Sequence, residues 1–136
     1  MLFVLGAGFI TDWRSDMVKL VALLKRKAGM SREEFKRRWL IEHTKLSSKL
    51  PGCVEYRINL AIAHQPGGDG IEPLYDGTAE LWWESVEAME KSFAAEIAKI
   101  AGDDADSFCD ARIHIYTEEY LVVRRGKPVR PPQAAR

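Results

Sequence analysis

The sequence predicts an α+β sandwich in which one four-stranded antiparallel sheet carries two helices on a single face, with elements in the order strand, helix, strand, strand, helix, strand. Three observations carry that expectation. The stretch SREEFKRRWLIEHTKLSSKL, residues 31–50, has the cap and the period of an amphipathic helix. Apolar and alternating runs of strand type lie on both sides of it, and a second helical period recurs over residues 85–100. The length, 136 residues, is that of one domain with room for a core.

Residues 1–16 contain VLGAGFIT at 4–11, which starts like a dinucleotide-binding fingerprint, but Thr11 stands at the third glycine position. No amphipathic helix follows before Val18, so the helix N-terminus that would hold a phosphate is missing. This stretch reads as an N-terminal extension, with an extra edge strand as the alternative. Residues 18–24 (VKLVALL) form a nearly unbroken apolar run, the mark of a strand buried on both faces. Ser31 with Glu34 three residues on makes a capping box, and Met30 with Phe35 a hydrophobic staple. Phe35, Trp39, His43, Leu46 and Leu50 then recur on one stripe, and Pro51-Gly52 stops the helix.

Alternation over 53–63 places Val54, Tyr56, Ile58, Leu60 and Ile62 on one face of a second strand. Residues 65–73 read as a Gly-rich loop, and 74–84 as a third strand ending in Trp82-Trp83. Ser85 caps a second helix whose apolar line is Val86, Met89, Phe93, Ile97 and Ile100, closed by Ala101-Gly102 and the acidic run 103–106. Residues 112–123 read as the last strand. The tail 124–136, RGKPVRPPQAAR after Arg124, is basic and Pro-rich with nothing to bury, and reads as disordered.

This order is that of the ferredoxin-like sandwich, and it leaves one sheet face uncovered. Because the first strand is apolar on both sides, the expected cover is a second copy packed face to face, a homodimer. The twenty acidic residues all precede position 124, whereas five of the twenty basic ones follow position 123, so the folded part is mildly acidic and argues against nucleic-acid binding. Cys53 and Cys109 have no metal or redox spacing, no apolar run reaches the length of a membrane span, and a cytoplasmic protein with reduced thiols is expected.

The chain resembles the EthD family of dimeric α+β-barrel proteins. The resemblance rests on VKLVALLKRK, on MSREEFKRRWLIEHTKL with its F-x-x-x-W-x-x-x-H core, on LPGCVEYRIN, on AELWWESVEAME and on TEEYLVV, together spanning roughly residues 17–123. Relatives include methylmuconolactone isomerases, polyketide cyclases and proteins encoded beside ether-degrading monooxygenases. The resemblance implies a general acid or base in a cavity between helix and sheet, and maps that role onto His43, with Tyr56 after the Pro-Gly turn. The cysteine used by isomerase-type sites has no clear counterpart in Cys53 or Cys109.

An imidazole on an apolar stripe is either a satisfied core histidine or a base suited to proton abstraction beside a carbonyl. Tyr56, on the apolar face of its strand, is either a core phenol or a hydroxyl that holds a substrate oxygen. Phe35, Trp39, Trp83 and Phe93 are candidates for the walls of a hydrophobic pocket, and Glu80 a further acid if it points inward. His64 and His114 are not spaced with His43 as metal ligands, so neither metal nor cofactor is assigned. Two functions are expected to compete: a small cofactor-independent isomerase or cyclase acting on a hydrophobic carbonyl compound, or a non-catalytic protein that binds such a molecule for a degradative oxygenase.

Overall fold

The computed structural model describes residues 17–134; the expectation for residues 1–16 lies outside them. Strand β1 (Val18–Arg26) sits inside a four-stranded antiparallel sheet with β2 (Glu55–Leu60), β5 (Gly77–Trp83) and β6 (Cys109–Thr117), in the order β2-β5-β1-β6. This is the ferredoxin-like arrangement. Register pairs Leu20 with Leu81 and Ala22 with Ala79, so Leu20, Ala22, Leu24, Ala79, Leu81 and Trp83 point together into the buried core. Lys19, Val21, Leu23, Glu80 and Trp82 alternate onto the opposite, open face.

The first helical segment starts as its cap dictates, with Ser31 Oγ accepting from the Glu34 amide at 3.0 Å. It is not one regular helix. α1 (Arg32–Arg37) passes into a π-helical turn (Arg38–His43) and then α2 (Thr44–Ser47). Thr44 Oγ1 donates back to the Leu40 carbonyl at 2.7 Å. A π turn holds more residues per revolution, so side chains four apart stay in line: Phe35, Trp39, His43 and Ser47 are buried, and Leu46 is only half-buried. The expected stripe therefore continues through Ser47 where Leu46 was expected.

Two short strands, β3 (His64–Gln65) and β4 (Gly68–Asp69), pair within the expected loop. The second helical region is split. α3 (Val86–Phe93), capped by Ser85 Oγ on the Ala88 amide at 3.0 Å, ends at Ala94, and Ala95 in extended conformation opens α4 (Glu96–Asp106). The expected stop at Gly102 fails, because an interior glycine costs a helix only about 1 kcal/mol and α4 runs through it to Asp106. The expected last strand is also two strands, β6 and β7 (Tyr120–Arg124), separated at Glu118-Glu119.

The expectation of a disordered tail is corrected as well. β7 pairs antiparallel with β8 (Lys127–Ala134) across the two-residue loop Arg125-Gly126, both at positive φ, 49° and 79°. Paired positive φ values are those of the tight turn that suits a twisted hairpin, and backbone pairing needs no buried side chain. Gly77 is required by close approach: a Cβ there would lie 2.7 Å from the Trp39 ring and run into the Asn59 carbonyl. Trp39 thereby rests directly on β5, fully buried, with Phe35 edge-on at 5.4 Å.

Candidate active site

Between the helices and the sheet lies a cavity of about 250 Å³, lined by Leu20, Ala22 and Leu24 of β1, by Ala79 and Leu81 of β5, and by the small residues Ala98, Ala101, Gly102 and Ala105 of α4. Small side chains on α4 hold the helix backbone close while leaving space beneath it. Into this apolar chamber project His43, Ser47 and Tyr56, with Arg112 and His114 of β6 completing the wall.

His43 ends the π turn and is 7% exposed. Its Nδ1 lies 3.0 Å from Asp104 Oδ2, and because a carboxylate only accepts, Nδ1 carries the proton and donates it. Phe108 meets the imidazole edge-on at 5.4 Å, fixing its tilt. Nε2 has no hydrogen-bond partner among the described residues, yet Ser92 Oγ is the only buried polar side-chain atom there left sealed and unpartnered. The free nitrogen thus keeps access to space on a residue that lines the cavity.

Burial pushes the His43 pKa below the ordinary imidazole value; the Asp104 bond pulls it up, and Arg112 and Arg38 push it down again. The ring is therefore neutral at neutral pH and its Nε2 is a free base. Asp104 is itself held by Arg38 Nη2 at 3.2 Å, and Arg38 Nη2 also donates to Ser107 Oγ at 2.7 Å. The arrangement is an oriented imidazole: a carboxylate fixes the tautomer, and a guanidinium fixes the carboxylate.

One helical turn beyond His43, Ser47 Oγ lies 3.1 Å from the Tyr56 hydroxyl. Either hydroxyl can donate in this pair; with Ser47 as donor, Tyr56 keeps its own proton for a third group. Burial raises the Tyr56 pKa, so that proton stays on at neutral pH. Arg112 is spent on Asp106 Oδ1, through Nε at 3.0 Å and Nη2 at 2.9 Å, so its charge is balanced at the wall. His114 stacks tilted against Phe93 at 6.2 Å.

Of the residues expected from sequence, His43, Tyr56, Trp39 and Phe93 line this one cavity. Three do not. Phe35 is sealed between Trp39 and Phe108. Trp83 is fully buried beside Phe93 and donates to the Pro51 carbonyl at 3.2 Å. Glu80 lies on the opposite sheet face, bridged to Lys19 at 2.9 Å and bonded by Asn59 at 2.9 Å, because its neighbours Ala79 and Leu81 take the inward positions. Neither cysteine offers a nucleophile: burial pushes the Cys109 thiol up to about 12 and raises that of Cys53. Among the described residues no group of three or more His, Cys, Asp or Glu side chains is arranged to hold a metal ion.

Sequence reasoning missed Asp104, Ser47, Arg112 and Phe108. Ser47 was within reach, four residues from His43. Asp104 was hidden in an acidic run that reads as a solvated helix end.

A ferredoxin-like sheet with its helices on one face, and a chamber between the two layers, defines the class: small α+β proteins with an internal pocket. The chain belongs to the EthD family, whose EthD domain model matches residues 27–112. Among solved structures it is similar to an EthD-family protein from Bacillus halodurans C-125, at 24% identity over 76% of this chain and 98% of that one, with a TM-score of 0.65. It is also similar to the hydroxynitrile lyase of Passiflora edulis, at 13% identity, 76% and 93% coverage and a TM-score of 0.60. A dimeric protein of unknown function with a ferredoxin-like fold from Bacteroides fragilis NCTC 9343 shares 13% identity, 76% and 97% coverage and a TM-score of 0.57. These likenesses are of fold. No curated protein matches the chain. No helix among the described residues is long and apolar enough to cross a membrane.

Proposed function

We propose that this protein is a small enzyme of the isomerase or cyclase type that moves a proton on a compact hydrophobic carbonyl compound without a cofactor, His43 acting as the base. The single observation that carries the reading is the Asp104-oriented His43, whose unbonded Nε2 belongs to a ring lining an apolar cavity of about 250 Å³. Nε2 takes a proton from the carbon beside the carbonyl, and Asp104 offsets the charge that appears on the imidazole. The electron pair left behind moves onto the carbonyl oxygen, where the Tyr56 hydroxyl donates to the developing enolate. Return of the proton to a different atom of the enolate completes an isomerisation; attack of the enolate carbon on a second carbonyl of the same molecule forms an alkoxide, which takes the proton back from His43 and completes a ring closure. Apolar walls from β1, β5 and α4 favour a compact ring system over a charged guest.

The protein is further proposed to act as a homodimer joined through the open sheet faces. Val21 and Leu23 of β1 lie beside Ile115 and Ile113 of β6 on that face, and Ile113 and Ile115 remain 43% and 49% exposed. Light scattering at micromolar concentration tests this, a dimer mass being expected and a monomer mass overturning it. The catalytic reading is tested by comparing wild type with His43→Ala on small aromatic lactones and polyketone mimics. Turnover that disappears in the variant is expected. Equal turnover in both removes proton transfer by His43, and binding without turnover in wild type favours a protein that only holds such molecules.

A further inference from the structure

The hairpin β7–β8 is unused by the site and lies beyond the residues that the family model matches. Its strands pair with each other and with no other described strand, and their main contacts are mutual. An isolated two-stranded hairpin is marginal in water, so a lasting one needs a surface to lie on. The exposed apolar side chains support this: Tyr120 and Val122, on one face of β7, are each 56% exposed, and Val123, on the other, 54%.

Where the hairpin starts is fixed. Glu119, immediately before β7, accepts from Lys19 Nζ at 2.9 Å and from Trp82 Nε1 at 3.0 Å, both on the open sheet face. The root of the hairpin is thus tied to the face that a second copy is proposed to cover. Charge favours the same occupant. Arg124, Arg125, Lys127 and Arg130 belong to the hairpin, which has no acid, while every one of the chain's twenty acidic residues precedes position 124.

We infer that β7–β8 is an arm that lies on a second copy of this chain, its Tyr120 and Val122 against that copy's apolar surface and its basic residues against that copy's acidic body. This rests on the dimer proposed above. Each protomer gives one arm and receives one, as a two-fold axis requires. The arm adds apolar contact at the rim of the joined faces, and its ionic share weakens with salt.

Two measurements on the full chain test it. Sedimentation equilibrium compares wild type with the double variant Tyr120→Asp, Val122→Asp, both positions being exposed and outside the core. Loss of two apolar contacts and the added repulsion from an acidic body are expected to weaken dimerisation by roughly tenfold or more. Separately, ¹⁴N and ¹⁵N chains are mixed below the dimer dissociation constant, reconcentrated and treated with a zero-length carbodiimide cross-linker. Mixed-isotope peptides joining Lys127 to an acidic residue of the other copy are expected. A wild-type dimer whose dissociation constant is unchanged in the variant, with Lys127 linked only within one chain, overturns the arm and leaves the dimer standing. A monomeric wild type overturns both. Lys127 cross-linked chiefly to another protein or to nucleic acid when the full chain is treated in lysate also overturns the assignment to a second copy.

Discussion

The same substitution at two glycines is expected to act with opposite sign, and the difference follows from where each Cβ would go. At Gly77 the added carbon meets the Trp39 ring at 2.7 Å, well inside the 3.5–4.0 Å at which carbon atoms attract, and also the Asn59 carbonyl. Trp39 is fully buried between β5 and Phe35 and cannot swing away, so the strand or the indole must move by several tenths of an ångström. Overpacking of this kind costs about 1–3 kcal/mol. At Gly102 a Cβ would stand 3.7 Å from Arg112 Nη2, an ordinary contact with the end of a flexible side chain. There alanine gains the helix propensity that glycine lacks, about 0.5–1 kcal/mol. Urea unfolding followed by tryptophan fluorescence should therefore show Gly77→Ala less stable than wild type and Gly102→Ala more stable, at similar m. Midpoints shifted in the same direction, or Gly77→Ala indistinguishable from wild type, would refute the packing argument.

Asp104→Asn removes the charge that supports the His43 imidazolium, so the His43 pKa followed by NMR should fall further below the ordinary value; a rise would contradict the assigned hydrogen bond. Acid should destabilise the fold early: the folded pKa of buried His43 lies below the ordinary 6.5, so its contribution is complete above about that pH and lost as pH falls through the folded value. Thermal melts with the same midpoint at pH 7 and pH 5 would show that this ring is not buried as described. Tyr56→Phe should leave the fold intact and weaken binding of an aromatic ketone by roughly tenfold, the worth of one hydrogen bond in a dry site; undiminished affinity by calorimetry would remove Tyr56 from the carbonyl-binding role.

Local chemistry made much of the fold legible. Ser31 with Glu34, and Ser85 ahead of Val86, announce helix starts through groups three residues apart, and the structure forms both caps. Alternation located β2, and the apolar run located β1. What escaped the sequence depends on contacts between distant segments. Asp104 meets His43 across 61 positions, and nothing in an acidic run distinguishes the one carboxylate that turns inward. The π turn widens a helix by one hydrogen-bond step and leaves no signature in hydrophobic spacing, although it decides that Ser47 rather than Leu46 faces Tyr56. Gly102 reads as a stop because propensity is summed locally, whereas packing of α4 beside Arg112 carries the helix past it. The hairpin was invisible to an argument from buried area, since its strands are held by backbone pairing and a tight turn.

The account stands or falls on whether a guest inside the chamber can touch the free nitrogen of His43. Titration of ¹⁵N-histidine-labelled protein with a small aromatic lactone addresses this directly, with exposed His64 as the internal control. The account predicts a saturable change at His43 Nε2 that is lost in the His43→Ala variant, with His64 unmoved. No change at His43 under conditions where the lactone demonstrably binds would contradict it.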